Sequence, residues 1–161
     1  MNSAYILTGG NMGNSLENLS RAATAIAKNC GSIIAQSSIY RTAAWGNQEQ
    51  PDFLNQVLLI NTLLEPLVLL KKLLDIEHLM GRVRDKQNDP RTIDLDILCY
   101  NDLVLDSTVL TLPHPRLHLR RFVLVPLNEI APDLEHPVLH KSIKQLLQQC
   151  PDTLNVKKFS W

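Results

Sequence analysis

The chain has 161 residues, 45% of them hydrophobic and 20% charged, the profile of one globular domain that folds without staples. Lys+Arg and Asp+Glu stand at 16 each, so the whole molecule is no electrostatic magnet for nucleic acid or membrane, and any anion site must be local. The three cysteines, Cys30, Cys99 and Cys150, are odd in number and scattered, which speaks against a disulfide framework or a zinc site and fits a reducing cytoplasm. The opening Met1 to Leu7 has no basic region and too short an apolar run for a signal peptide. Nothing approaches the roughly 20 apolar residues of a membrane span. A single cytoplasmic domain over residues 1–161, without linker or repeat, is expected.

In chain order, Ala4 to Thr8 reads as a first strand, with a glycine-rich turn at Gly9-Gly10-Asn11-Met12-Gly13-Asn14. Ser15 is the candidate N-cap of a helix in which Leu16, Leu19, Ala22, Ala23, Ile26 and Ala27 recur at helical spacing, and Gly31 stops it. The glycines match neither G-x-G-x-x-G nor a Gly-Lys-Ser/Thr loop, so a phosphate cradle is weakly supported there. Ser32 to Tyr40 is a second strand and Phe53 to Thr62 a third, pairing across a long polar loop. Pro66 suits the first turn of a second helix, expected to bury Leu67, Leu70, Leu73, Leu74, Ile76 and Leu79 before Gly81 closes it. A fourth strand begins near Asp94. The order β-α-β-β-α-β predicts an α+β, ferredoxin-like core, an antiparallel sheet with helices packed on it. Beyond Tyr100, Leu103 to Leu105 suggests a short hairpin partner for the fourth strand, Thr111 to Pro115 a loop, and residues 120–132 and 142–149 a C-terminal helical extension.

The densest chemistry lies between Gly81 and Asp96. Thr92-Ile93-Asp94-Leu95-Asp96 alternates polar and apolar, so a strand would turn both carboxylates to one face, about 7 Å apart. Arg82, Arg84, Lys86 and Arg91 precede them on a polar loop. Two acids beside mobile guanidinium forks suit Mg²⁺ and a polyphosphate, and all-oxygen ligands favour Mg²⁺ or Mn²⁺ over zinc. His114 between two prolines, and the trio Arg120, Arg121 and Phe122, add cations and an aromatic. Thr42, Trp45, Phe53 and Asn55 flank the central loop. Aromatics with an amide and a hydroxyl suit a flat heterocycle, stacked on its faces and read at its edge.

Gly81-Arg82-Val83-Arg84, Pro90-Arg91-Thr92-Ile93-Asp94-Leu95-Asp96-Ile97, and Pro113-His114-Pro115-Arg116 with Arg120-Arg121-Phe122-Val123-Leu124 resemble the 6-hydroxymethyl-7,8-dihydropterin pyrophosphokinases of folate synthesis. Ala4-Tyr5-Ile6-Leu7 with Gly9-Gly10-Asn11, Tyr40-Arg41-Thr42 and Asp52-Phe53-Leu54-Asn55 match in order and spacing, so the resemblance covers essentially the full length. It implies transfer of pyrophosphate from ATP to the pterin hydroxymethyl, releasing AMP. It implies two Mg²⁺ ions on Asp94 and Asp96, with Arg82 and Arg91 alongside them in catalysis. Glu77, Arg84, His114 and Arg120 would face ATP. Thr42 and Asn55 would hydrogen-bond a pterin stacked between Phe53 and Phe122, with Trp45 as a lid. The chain departs from the family in carrying Ala44 for a usual proline, Gly10 for a frequent serine, and Trp45 for a frequent aliphatic residue. A monomer using ATP and the pterin, with no nucleic acid or membrane partner, is expected. The rival readings are a catalytically silent ferredoxin-like nucleotide- or pterin-binding module and a metal-dependent phosphohydrolase.

Overall fold

The structure is a computed structural model that describes residues 1–43, 51–81 and 92–159. β1 (Asn2–Gly10) lies at the heart of a six-stranded sheet, between β4 (Phe53–Thr62) and β5 (Asp94–Tyr100). β2 (Ser32–Gln36) and β3 (Tyr40–Thr42) both pair with β4, and β8 (Lys157–Lys158) closes the far side against β3. Every pairing is antiparallel.

The expected single strand from Ser32 to Tyr40 is thus two strands. Ser37 makes the break: its amide donates to the Val57 carbonyl at 2.9 Å, while its hydroxyl accepts from the Val57 amide at 2.9 Å. A side chain has taken a backbone carbonyl's place in the ladder. The glycine turn also moves, because Gly9 and Gly10 remain paired in β1, opposite Asn55 and Leu54. α1 (Ser15–Asn29) is capped by Asn14, whose carboxamide oxygen accepts from the Glu17 amide at 3.1 Å, one residue before the expected cap.

One face of the sheet carries α1 and α2 (Pro66–Leu79), which bury Leu19, Ala22, Ile26, Leu69, Leu73 and Ile76 against Ile6, Leu58, Ile60 and Ile97. Each leucine or isoleucine among them contributes about 1.5–3 kcal/mol. The expected core face of α2 is rotated. Leu67, Leu74 and Leu79 are exposed, and Leu69 and Glu77 are buried in their stead. A helix apolar nearly all round gives periodicity little to choose between.

The opposite face is covered by α3 (Arg121–Ile130) and α4 (Ile143–Gln149), whose Val123, Leu124, Leu127, Ile143 and Leu146 pack on Leu7, Val57 and Leu98. Pro126 lies inside α3 and removes the amide that would bond the Phe122 carbonyl. The α4 cap is reciprocal: Ser142 accepts from the Gln145 amide, and the Gln145 side chain accepts from the Ser142 amide. Between the core and this extension, β6 (Leu105–Asp106) pairs with β7 (Thr111–Leu112). The hairpin partner of 105 is therefore the segment expected to be loop, and the loop begins only at Pro113, after a cis Leu112–Pro113 bond. Among the described residues no helix is long and apolar enough to cross a membrane.

Candidate active site

Register across the sheet assembles the site. Gly9 pairs with Asn55 on one side and with Asp94 on the other, and Leu7 pairs with Val57 and Asp96. In β3, Tyr40 stands opposite Asn55 and Thr42 opposite Phe53. Cross-strand partners project to one face. Leu7, Val57 and Leu98 bury themselves under α3 and α4, so Asp94, Asp96, Asn55, Phe53, Thr42 and Tyr40 share that side. These residues line one end of that face, Asp94 and Asp96 on β5 and Asn55, Phe53, Thr42 and Tyr40 on β4 and β3.

At the β5 end, Asp94 and Asp96 are half-buried. His114 is pinned over them, its amide donating to the Leu98 carbonyl at 2.8 Å and its Nδ1 accepting from the Arg116 amide at 3.2 Å. Burial, then Arg120 and Arg116, lower its pKa to about 4 against the opposing pull of Asp94. The imidazole is therefore neutral at neutral pH, with Nε2 carrying the proton. Arg120 sits at the start of α3. Burial and Arg116 push its pKa down, while Asp96, Asp94 and Asp152 pull it up. A guanidinium stays charged under such shifts. Two half-buried carboxylates and a cation across from them form a site of mixed sign, which fits an anion bound through a cation.

At the β3 end, Thr42 and Asn55 are buried and Phe53 is half-buried. Phe122, from the first turn of α3, enters over the same face, with the Arg120 guanidinium 5.5 Å from its ring centroid. α3 is tied down at both ends. The Arg121 amide donates to Asp152 Oδ2 at 3.0 Å. Glu129 accepts from the Ser38 amide at 2.9 Å, the Ser38 hydroxyl at 2.8 Å and the Tyr40 hydroxyl at 2.8 Å. Burial pushes the Glu129 carboxyl up, but these bonds outweigh it and hold it below its ordinary value. Burial and the bond to Glu129 push Tyr40 up to about 12. This clamp fixes the distance between the helix carrying Phe122 and the strand carrying Thr42.

Glu77 lies elsewhere. It is buried on α2, and its Oε2 accepts from the amide of Leu95, the residue between the two aspartates, at 2.7 Å. It holds the outer edge of β5. Arg82, Arg84, Arg91 and Trp45, with Ala44, lie outside the described residues.

Sequence reasoning missed four contributors. Tyr40 and Glu129 act through partners 89 and 91 residues apart in sequence, which no local pattern displays. Buried Asn11 donates to the Pro51 carbonyl at 3.1 Å and ties the end of β1 to the start of β4. Gly9 was legible only as a turn glycine. Among the described residues, no three His, Cys, Asp or Glu side chains form a metal cluster. Two carboxylates are nonetheless what Mg²⁺ asks of a protein when substrate phosphates and water complete its shell.

Residues 5–132 match the family model described as 7,8-dihydro-6-hydroxymethylpterin-pyrophosphokinase (HPPK). A protein of Synechocystis named 2-amino-4-hydroxy-6-hydroxymethyldihydropteridine pyrophosphokinase is 44% identical over 147 residues, covering 91% of this chain and 75% of its own length. One of the same name from Haemophilus influenzae is 41% identical over 158 residues and covers 98% of both chains. The folic acid synthesis protein fol1 of Schizosaccharomyces pombe is 40% identical over 149 residues, 92% of this chain but only 20% of fol1. In backbone, a Plasmodium falciparum HPPK-DHPS crystal structure with pterin and p-hydroxybenzoate superposes with a TM-score of 0.76 at 20% identity, over 92% of this chain and 43% of that one. The chain belongs to the 7,8-dihydro-6-hydroxymethylpterin-pyrophosphokinase family.

Proposed function

We infer that this end of the sheet face, from β5 to β3, is where this enzyme works. The chain is a 2-amino-4-hydroxy-6-hydroxymethyldihydropteridine pyrophosphokinase and transfers pyrophosphate from ATP to the hydroxymethyl group of 6-hydroxymethyl-7,8-dihydropterin in folate biosynthesis. The observation that carries the residue assignment is the row Asp94–Gly9–Asn55–Tyr40, which puts acids and heterocycle readers on one face, two strands apart.

On this reading Thr42 and Asn55 read the pterin edge, Phe53 and Phe122 hold its faces, and Trp45 is a further pterin-binding residue. His114, neutral and donating through Nε2, and Arg120 bind phosphate oxygens together with Arg84. Glu77 belongs to the ATP side through Leu95, by fixing the strand between the aspartates. Asp94 and Asp96 hold Mg²⁺, for which two ions are proposed. When bound, the metal neutralises phosphate oxygens and aligns them. The hydroxymethyl oxygen attacks the β-phosphorus in line and gives up its proton to solvent, the bond from that phosphorus to the α-phosphate bridging oxygen breaks, and AMP leaves with the electron pair. The protein positions and stabilises charge, with Arg82 and Arg91 absorbing negative charge as it develops. A cytoplasmic monomer, acting on small molecules alone, is proposed.

The test is AMP release from Mg-ATP with and without the pterin. AMP appearing only when both pterin and Mg²⁺ are present is expected. ADP or free phosphate without pterin would overturn the reading in favour of hydrolysis, and tight ATP-analogue binding without turnover would leave only a binding module.

A further inference from the structure

Gly9 sits midway between the two halves of the site, paired with Asn55 on one side and Asp94 on the other. Its backbone does not require glycine, since among the described glycines positive φ occurs at Gly13 and Gly81 and not at Gly9. What requires it is space. A Cβ on Gly9 would lie 2.1 Å from Asn55 Oδ1 and 3.2 Å from its Cγ, with the Leu54 carbonyl oxygen at 3.3 Å. The Asn55 carboxamide therefore lies over β1, in the slot a side chain would fill, and Asn55 is buried there. A Cβ on Gly9 would collide with the carboxamide in this orientation, so the missing side chain is what leaves the seat open.

We propose that Gly9 is a specificity-determining, positioning residue for the heterocycle: its lack of a side chain seats the Asn55 carboxamide across β1. This rests on the reading of Asn55 as a reader of the pterin edge. The first group to yield to a Cβ is the far end of a flexible side chain, so the fold tolerates alanine while the carboxamide must swing out of its seat. A buried donor–acceptor pair that no longer meets the substrate edge loses both affinity and discrimination. Gly9 touches no substrate itself. Its whole effect passes through Asn55.

That last property makes the test. Steady-state AMP release is measured for the wild type, Gly9→Ala, Asn55→Ala and the double variant, with binding of an ATP analogue read separately. Gly9→Ala is expected to raise the pterin KM about tenfold, the loss of one hydrogen bond, and to leave ATP-analogue affinity within about twofold. In the Asn55→Ala background, where the seat is empty, the same substitution should change the pterin KM by less than about twofold. An unchanged KM for Gly9→Ala, or an equally large effect in both backgrounds, overturns the proposal. If Gly9→Ala does not fold, a double variant that does fold supports it, because removing Asn55 has relieved the collision. A double variant that also fails to fold overturns it. A wild type without pterin-dependent AMP release would instead overturn the reading of the site, and is separable because it appears before any substitution.

Discussion

Asp94 and Asp96 project together because a strand turns every second side chain the same way, and Leu95 between them is drawn to the other face by the core under α2. That core also supplies Glu77, which holds the Leu95 amide at 2.7 Å. Asp94→Asn and Asp96→Asn should each lower kcat by at least about a hundredfold, since on the proposed assignment each removes a charge from the metal's shell. Rapid-quench AMP formation reads this, and near-normal rates in both would unseat the metal assignment. Acid should act at a different residue. Buried His136 accepts at Nδ1 from the Val138 and Leu139 amides at 3.2 and 3.0 Å, and its ring meets His118 edge-on at 6.0 Å. Burial, then His118 and His140, lower its pKa. The native state thus binds fewer protons there than the unfolded chain does. The stability His136 contributes is present above the unfolded value, about 6.5, and is lost as pH falls below it. Thermal unfolding should show Tm falling from pH 7 to pH 5, with half-buried His114, its pKa lowered to about 4, sharing in the loss, and His136→Gln should make that slope shallower; an equal slope in the variant would clear His136.

At the scale of elements, the ties between α3 and the β2–β3 break decide the shape of the β3 end of the site, where the heterocycle is proposed to sit. Tyr40→Phe deletes one hydrogen bond to Glu129 and should cost about 1 kcal/mol, or roughly 2–4 °C in Tm. It should also raise the pterin KM more than the ATP KM, because β3 carries Thr42 and not the aspartates. A shift of both constants together would mean that the clamp merely holds the fold. The same elements show what a single sequence discloses. The aspartate strand was legible because alternation is local, and α1 because its apolar spacing is clean. The break at Ser37 was not, because it depends on a hydroxyl replacing a carbonyl in someone else's ladder. Nor was the core face of α2, where leucines occupy both sides. Gly9 read as flexibility although it serves as vacancy, for the side chain that needs the room stands 46 positions later, at Asn55. Glu129 carries no local signal at all.

Across the whole molecule, the chain's last described strand returns to the β3 end of the site. β8 pairs with β3, Tyr40 opposite Lys158 and Arg41 opposite Lys157, and the Phe159 amide donates to the Ile39 carbonyl at 2.7 Å. The Arg41 guanidinium lies 5.1 Å from the Phe159 ring centroid, a contact of about 0.5–1 kcal/mol. Removing residues 157–161 should leave the protein folded and raise the pterin KM several-fold, since misplacing a positioning strand costs catalysis well before it costs the core. An unaltered KM in the shortened chain would confine the tail to packing.

Both residues of β8 are lysines, and both are exposed. An outermost strand with free amides invites a neighbour's strand to join it, and ammonium groups along it make that joining costly. Without those lysines the bare rim Tyr40–Thr42 becomes the growing end of a sheet. The shortened protein should therefore sediment as larger species as its concentration rises, while the intact chain stays one size.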